Sequence, residues 1–212
     1  MTIIANDAFE AQPFTRAATV ITIHTAAVCP GLACQPLSRP PIGAALFSVV
    51  PHANGFHFQA RANALRDDAQ PTTLIDWLED RLPATGTVLA RERDHLAWML
   101  RGASDAQRHP RIAAFLHSAA ERMRIVPQAA LRHVPGLTPI SVPCQCRLGE
   151  ACDRRLPGFY LPDPEDTEAG LIRLAQATWR RWAEQHAAFA DADHPARGAL
   201  RAFTAHAAKT DA

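Results

Sequence analysis

Lysine is almost missing from this chain. Of 22 basic residues one, Lys209, is a lysine and the rest are arginine. Guanidinium groups bind phosphate in a fork, so an arginine-only set fits phosphate recognition. It equally fits a GC-rich coding sequence, given the abundance of alanine. Net charge is missing too: 22 basic against 21 acidic residues leave +1, which excludes binding a polyanion through bulk charge alone. No apolar run approaches the roughly 18 residues of a membrane span, so no membrane-spanning helix is expected. The opening MTIIANDAFE has neither a basic region nor a long apolar stretch. A secretory signal is therefore not expected, and a cytoplasmic location is. Cysteines are few and odd in number (Cys29, Cys34, Cys144, Cys146 and Cys152), which fits free thiols in a reducing compartment. Glycine-rich phosphate loops and a G-x-S-x-G elbow are absent, which removes motif support for a nucleoside triphosphatase or a serine hydrolase. There is no internal repeat and no low-complexity linker.

The remaining pattern is globular, with 48% hydrophobic and 20% charged residues, and 212 residues suit one domain spanning 1–212. Residues 1–17 lack periodicity and read as an arm or edge segment. Residues 18–24 are β-branched and continuous, as in a buried strand. Residues 25–41 carry four prolines and read as a long loop. A second strand follows at 42–50. The pair Asn54-Gly55 marks a hairpin, because both positions tolerate positive φ, and the alternating 56–62 returns as a third strand. Thr73, with Asp76 three residues on, predicts a capping-box start for a helix striped by Leu74, Ile75, Trp77, Leu78 and Leu82. A short strand is expected at 87–91, then helices at 93–103, 109–123 and 127–134. Residues 135–164, with six prolines and three cysteines, read as irregular, apart from a short strand at 140–142. A long helix runs from Glu165 to about Ala188, striped by Leu171, Leu174, Ala175, Thr178, Trp179 and Trp182, and a last one from about Ala196 to Ala207. Trp77, Trp98, Trp179 and Trp182 lie on helical stripes and are expected in the core. The order predicts an α/β fold: a mixed sheet, made of an antiparallel three-strand meander plus parallel strands, flanked by helices. Residues 18–103 form its sheet-forming half and 104–212 its mainly helical half.

The succession of segments carries a resemblance. Ile21-Thr22-Ile23-His24-Thr25 is followed, after a long loop, by Ile42-Gly43-Ala44-Ala45, then by Phe58-Gln59-Ala60-Arg61-Ala62-Asn63. A helix (Leu74 to Leu82), a short apolar strand (Val88 to Ala90) and a helix containing His95-Leu96-Ala97-Trp98-Met99-Leu100 complete it. In this the chain resembles the DEDD-type 3′–5′ exonucleases, the ribonuclease H-like fold of polymerase proofreading subunits. The family's first strand reads apolar-Asp-apolar-Glu-Thr, its second Ile-Gly-Ala-Val, and a later helix opens with Phe-Asp. The resemblance covers residues 18–103 and is weaker to about residue 190. It implies a ribonuclease H-like sheet and phosphodiester hydrolysis by two divalent ions, Mg²⁺ or Mn²⁺, about 4 Å apart and held by four carboxylates.

Carried over position by position, the resemblance implies a degenerate metal site. The first two acids fall on Thr22 and His24, neither of which supplies a carboxylate. The third falls on Leu96, with Asp94 two residues away in a shifted register. The fourth belongs at the start of the long helix, where Asp163, Glu165, Asp166 and Glu168 crowd, with Tyr160 as a general-base partner. This acidic cluster also fits ordinary enrichment at a helix start, where acids complement the macrodipole. The resemblance thus implies an exonuclease-like protein of nucleic-acid metabolism that works by binding nucleic acid or a protein partner. The alternative is an active metal-dependent 3′–5′ exonuclease with a non-standard site built from His24, Asp94, Asp166 and Glu168.

Three further groups merit attention. Cys144, Cys146 and Cys152, with His133 or one of Cys29 and Cys34 as a fourth ligand, can compose a tetrahedral zinc site, which makes a small zinc-binding protein a second alternative. The same cysteines stand beside Arg147, Arg154 and Arg155, which fits a redox-sensitive thiol, and they fit plain reduced thiols as well. His24 ends a central strand, where α/β proteins place ligand-binding groups, and histidine titrates near neutrality. Residues 101–135 hold six arginines against Asp105 and Glu121. Arg108, Arg111, Arg122 and Arg124 are the candidates for nucleic-acid backbone contacts, the other reading being a solvated helix face. Phe115 is the one aromatic residue in that stretch, so base stacking there has little support.

Overall fold

The structure, a computed structural model, describes residues 14–25, 41–66, 69–91, 93–126, 163–188 and 190–210. Five strands form one sheet: β1 (Ala18–Thr25), β2 (Pro41–His52), β3 (Gly55–Ala64), β4 (Thr87–Ala90) and β5 (Met123–Ile125). The helices are α1 (Pro71–Arg81), α2 (Arg93–Ala103), α3 (Pro110–Arg122), α4 (Pro164–Ala188) and α5 (Pro195–Thr210). The sheet order is β3-β2-β1-β4-β5. β2 pairs antiparallel with β1 and β3, whereas β4 pairs parallel with β1 and β5. So β2 alone runs against the other four, and the expected meander with parallel strands beyond it is present. Among the described residues no helix is long and apolar enough to cross a membrane.

Alternation along the strands divides the core between the two faces. Val20, Phe47, Val49 and Leu89 pack with Trp179, Trp182 and Ala183 of α4 and with Ala199 and Phe203 of α5. Ile21, Ala44, Leu46, Val88 and Ala90 pack on the opposite face with Ile75 and Leu78 of α1, Leu96 and Leu100 of α2, and Ile112 and Phe115 of α3. The hairpin between β2 and β3 turns through Ala53 and Asn54, and Gly55 opens β3 with φ +142°, which a glycine adopts without strain.

Four details differ from expectation. Helix α1 starts earlier, at Pro71, after an extended Gln70 whose side chain makes no cap bond. The Thr73 hydroxyl donates to the Gln70 carbonyl (2.7 Å), so no capping box forms. Met123 leaves the helix and begins β5, a three-residue parallel strand, so the sheet extends past residue 103. Phe14 belongs to the core: it is buried and stacks on Trp182 with ring centroids 4.7 Å apart. Trp98 is 60% exposed, because Leu96, Ala97, Met99 and Leu100 take the buried positions of α2. The helix expected at 127–134 and the strand expected at 140–142 lie outside the described residues.

Candidate functional site

The carboxyl ends of β1, β3, β4 and β5 lie along one edge of the sheet. The chain leaves β1 toward β2 and β3 on one side, and places β4 and β5 on the other. The switch in direction therefore falls between β1 and β4, the position where open α/β sheets bind ligands.

The first two turns of α4 lie across this edge on the β1–β2–β3 side. His24 stands opposite Gly43, and Gly43 opposite Ala64, so the three form one row across β1, β2 and β3. The Thr22 hydroxyl, on a fully buried residue, donates to the carbonyls of Leu171 (3.4 Å) and Ala45 (3.5 Å). The Ala64 N–H donates to Glu168 Oε1 at 3.1 Å. Gly43 admits this approach: a Cβ there would meet Leu171 Cδ1 at 2.8 Å and Thr167 Cγ2 at 3.0 Å. The helix thus closes on β2 at a position that carries no side chain.

The expected site residues separate on this frame. His24 and Glu168 reach the same edge, with two strand spacings, roughly 10 Å, between β1 and β3. His24 is half-buried, and desolvation pushes its imidazole below the usual range, toward the neutral form. Asp166 is exposed in the first turn of α4. Its N–H (3.2 Å) and that of Glu165 (2.8 Å) donate to Asp163 Oδ1, which caps the helix. Much of the acidic cluster is accounted for by starting α4. Asp94 lies in the first turn of α2, just beyond β4, and its side chain is outside the description. Cys29, Cys34, Cys144, Cys146, Cys152, His133 and Tyr160 lie outside the described residues.

Among the described residues the donor set at this edge does not suit two hard cations. Mg²⁺ and Mn²⁺ favour charged oxygen ligands. Here Thr22 offers a hydroxyl bonded to carbonyls and His24 an imidazole, and Glu168 already accepts a backbone N–H. Among the described residues, no three His, Cys, Asp or Glu side chains come together in a group able to hold a metal ion.

The four arginines divide into two pairs at opposite ends of α3. Arg111 and Arg122 are separated by about 16 Å along its axis, at 1.5 Å per residue. Arg108 forks onto Asp76, with Nε at 2.9 Å from Oδ1 and Nη2 at 2.6 Å from Oδ2. Arg111 donates to the Asp80 carbonyl (2.9 Å). Arg122 donates to the carbonyls of Gly86 (3.1 Å) and Pro83 (2.7 Å), tying down the turn before β4. Arg124 donates to the carbonyls of Glu121 and Met123. Each guanidinium therefore makes bonds within the chain, and Arg108 with Arg111 belongs to a seam between α1 and α3. In that seam Glu79 accepts the N–H groups of Arg111 and Ile112, capping α3 from another helix.

Sequence reasoning passed over two residues. Arg91 follows β4 directly; it is half-buried, and its Nε is shielded from solvent with no hydrogen-bond partner among the described residues. Thr167, in the first turn of α4, is 1% exposed and its hydroxyl is likewise unpartnered. The available signal was a charged residue ending an apolar strand, hidden because 87–91 reads as one strand. Compared with known proteins, the chain matches no family model, no curated protein and no solved structure.

Proposed function

We propose that the chain is a ribonuclease H-like, exonuclease-related protein of nucleic-acid metabolism that binds a nucleic-acid strand without cutting it by the two-metal route. A meander followed by two parallel strands, with helices on both faces, supports the fold part of this reading. One observation carries the functional part. At the two positions where the resemblance expects carboxylates, Thr22 is sealed under the Leu171 carbonyl and His24 is biased to its neutral form. Strand order makes this edge a candidate ligand position, and among the described residues those two positions offer no carboxylate to hold divalent ions. Such a protein is expected in the cytoplasm, and its function is separate from that of any enzyme sharing the fold.

The test is incubation of the purified protein with 5′-labelled single-stranded and duplex oligonucleotides in Mg²⁺, Mn²⁺ or EDTA, with binding followed by fluorescence anisotropy. Saturable binding in EDTA and intact oligonucleotide under all three conditions is the expected result. A ladder of 3′-shortened products that vanishes in EDTA would overturn it, and would return His24, Asp94, Asp166 and Glu168 to the role of an altered active site.

A further inference from the structure

We infer that the carboxyl edge between β1 and β4 binds a phosphate group of a nucleic-acid strand, with Arg91 as its partner. The inference rests on the reading above and names the group that does the holding. Val20 pairs with Leu89 in parallel register, and continuing that register places Arg91 level with Thr22 at the switch between β1 and β4. Arg91 is half-buried, and its Nε is hidden from solvent with no hydrogen-bond partner among the described residues. Burying a charged donor without an acceptor is costly, and native proteins keep such groups chiefly where a ligand, ion or water completes them. A guanidinium cannot relieve the cost by losing its proton.

Among the described residues no acidic side chain pairs with Arg91. Glu168 is bonded at the end of β3, three strand spacings from β4, or roughly 14 Å. Asp163 is turned to the helix start, and Asp76 is taken by Arg108 and His109. An anion is the complement that the described residues do not supply here. A phosphate diester suits it, since guanidinium presents parallel donors to two phosphate oxygens. In this arrangement an arginine supplies the positive charge at the edge, with no carboxylate-bound ion required.

The experiment uses the full chain in EDTA. Wild type, Arg91→Gln and Arg91→Lys are titrated with a 5′-labelled single-stranded oligonucleotide at several salt concentrations. Each is also melted with and without inorganic phosphate. Arg91→Gln is expected to weaken oligonucleotide binding at least tenfold and to lower the slope of log K against log salt by about 0.7, the value for one phosphate contact on a single strand. Arg91→Lys should recover part of both. Phosphate should raise the melting midpoint of wild type and leave that of Arg91→Gln unmoved. Without phosphate, Arg91→Gln should melt no lower than wild type, because it removes an uncompensated charge; a lower midpoint would make Arg91 a structural anchor and overturn the inference. Unchanged affinity and slope in Arg91→Gln would overturn it while leaving the proposed function standing. Phosphate stabilisation that depends on Arg91, with no oligonucleotide binding by wild type, would support the anion site and refute the nucleic-acid reading. Absence of both effects would end both.

Discussion

Gly43 on β2 lies directly beneath Leu171 on α4, so that a Cβ at residue 43 would stand 2.8 Å from Leu171 Cδ1. Leu171 is fully buried, and so is Thr167, whose Cγ2 would be 3.0 Å away. The contact also sets the height of α4 over β1, because the Leu171 carbonyl is the acceptor for the Thr22 hydroxyl. Gly43→Val should therefore overpack the seam and cost about 1–3 kcal/mol. Gly43→Ala should cost less, since the first atom met is the end of a leucine side chain. Urea unfolding of the two variants beside wild type measures this ordering. Equal stability of all three would mean that the helix rides higher than described.

Glu168 is expected to matter for folding more than for chemistry. Its Oε1 accepts the Ala64 N–H at the end of β3, an edge strand that would otherwise leave this donor unpaired. Glu168→Gln keeps an acceptor oxygen and should lie within about 0.5 kcal/mol of wild type. Glu168→Ala removes the acceptor and should cost about 1–2 kcal/mol, in the range of a bond to a charged group at a half-buried site. Chemical denaturation gives both numbers. Oligonucleotide binding by Glu168→Gln should equal that of wild type, and a large loss would move Glu168 back to the ligand.

What the sequence made legible follows the range of the interactions. β1, the β2–β3 hairpin and the stripe of α4 were readable because β-branched runs, Asn54-Gly55 and helical spacing are local signals. β5 was not, since Met123 reads as the end of the helix at 109–123 and Met123-Arg124-Ile125 becomes a strand only by pairing with β4. Phe14 looked like part of an arm because its partner, Trp182, is on α4 at the far end of the chain. The site divided the same way. The place of His24 at a carboxyl edge follows from strand order, whereas the bond between Ala64 and Glu168 spans 104 residues and has no local mark. Arg108, Arg111 and Arg122 read as part of a basic patch because their acceptors, the Pro83, Gly86 and Asp80 carbonyls and the Asp76 carboxylate, belong to earlier segments.

The seam between α1 and α3 predicts an acid limb in stability. Arg108 first, then His109, hold the Asp76 carboxyl below the usual range. His109 is buried; its Nδ1 accepts the Asp105 N–H, which leaves Nε2 to donate to Asp76 Oδ1 at 3.0 Å. A depressed carboxyl stabilises the fold at pH values above its unfolded value of about 3.9, and the contribution is lost as pH falls through the lower folded value. Asp76→Asn cannot titrate, so its stability should fall less steeply below about pH 4 than that of wild type. Some slope should remain, because backbone N–H groups of Gln107 and Arg108 also hold Asp105 low. Urea midpoints at pH 2.5, 4 and 7 test this. Parallel curves for the two proteins would show that the Asp76 fork contributes nothing in solution.

His24 predicts a second pH dependence, in a higher window and of different origin. Its imidazole is pushed low by desolvation. As pH falls below about 6.5, the unfolded chain takes up a proton that the folded chain resists. The unfolded state then binds more protons, so stability declines as pH drops from about 6.5 toward the folded value, and the decline ends below it. His24→Gln should remove this component and leave stability flatter between pH 7 and 5. The imidazole Cε1–H resonance of His24 should titrate with a midpoint below about 6.5. If strand phosphate binds nearby at Arg91, saturating oligonucleotide should raise that midpoint, because an anion favours the charged imidazole. A midpoint at or above about 6.5 in the free protein would show that the edge is open to water. The neutral imidazole invoked for the binding reading would then be wrong.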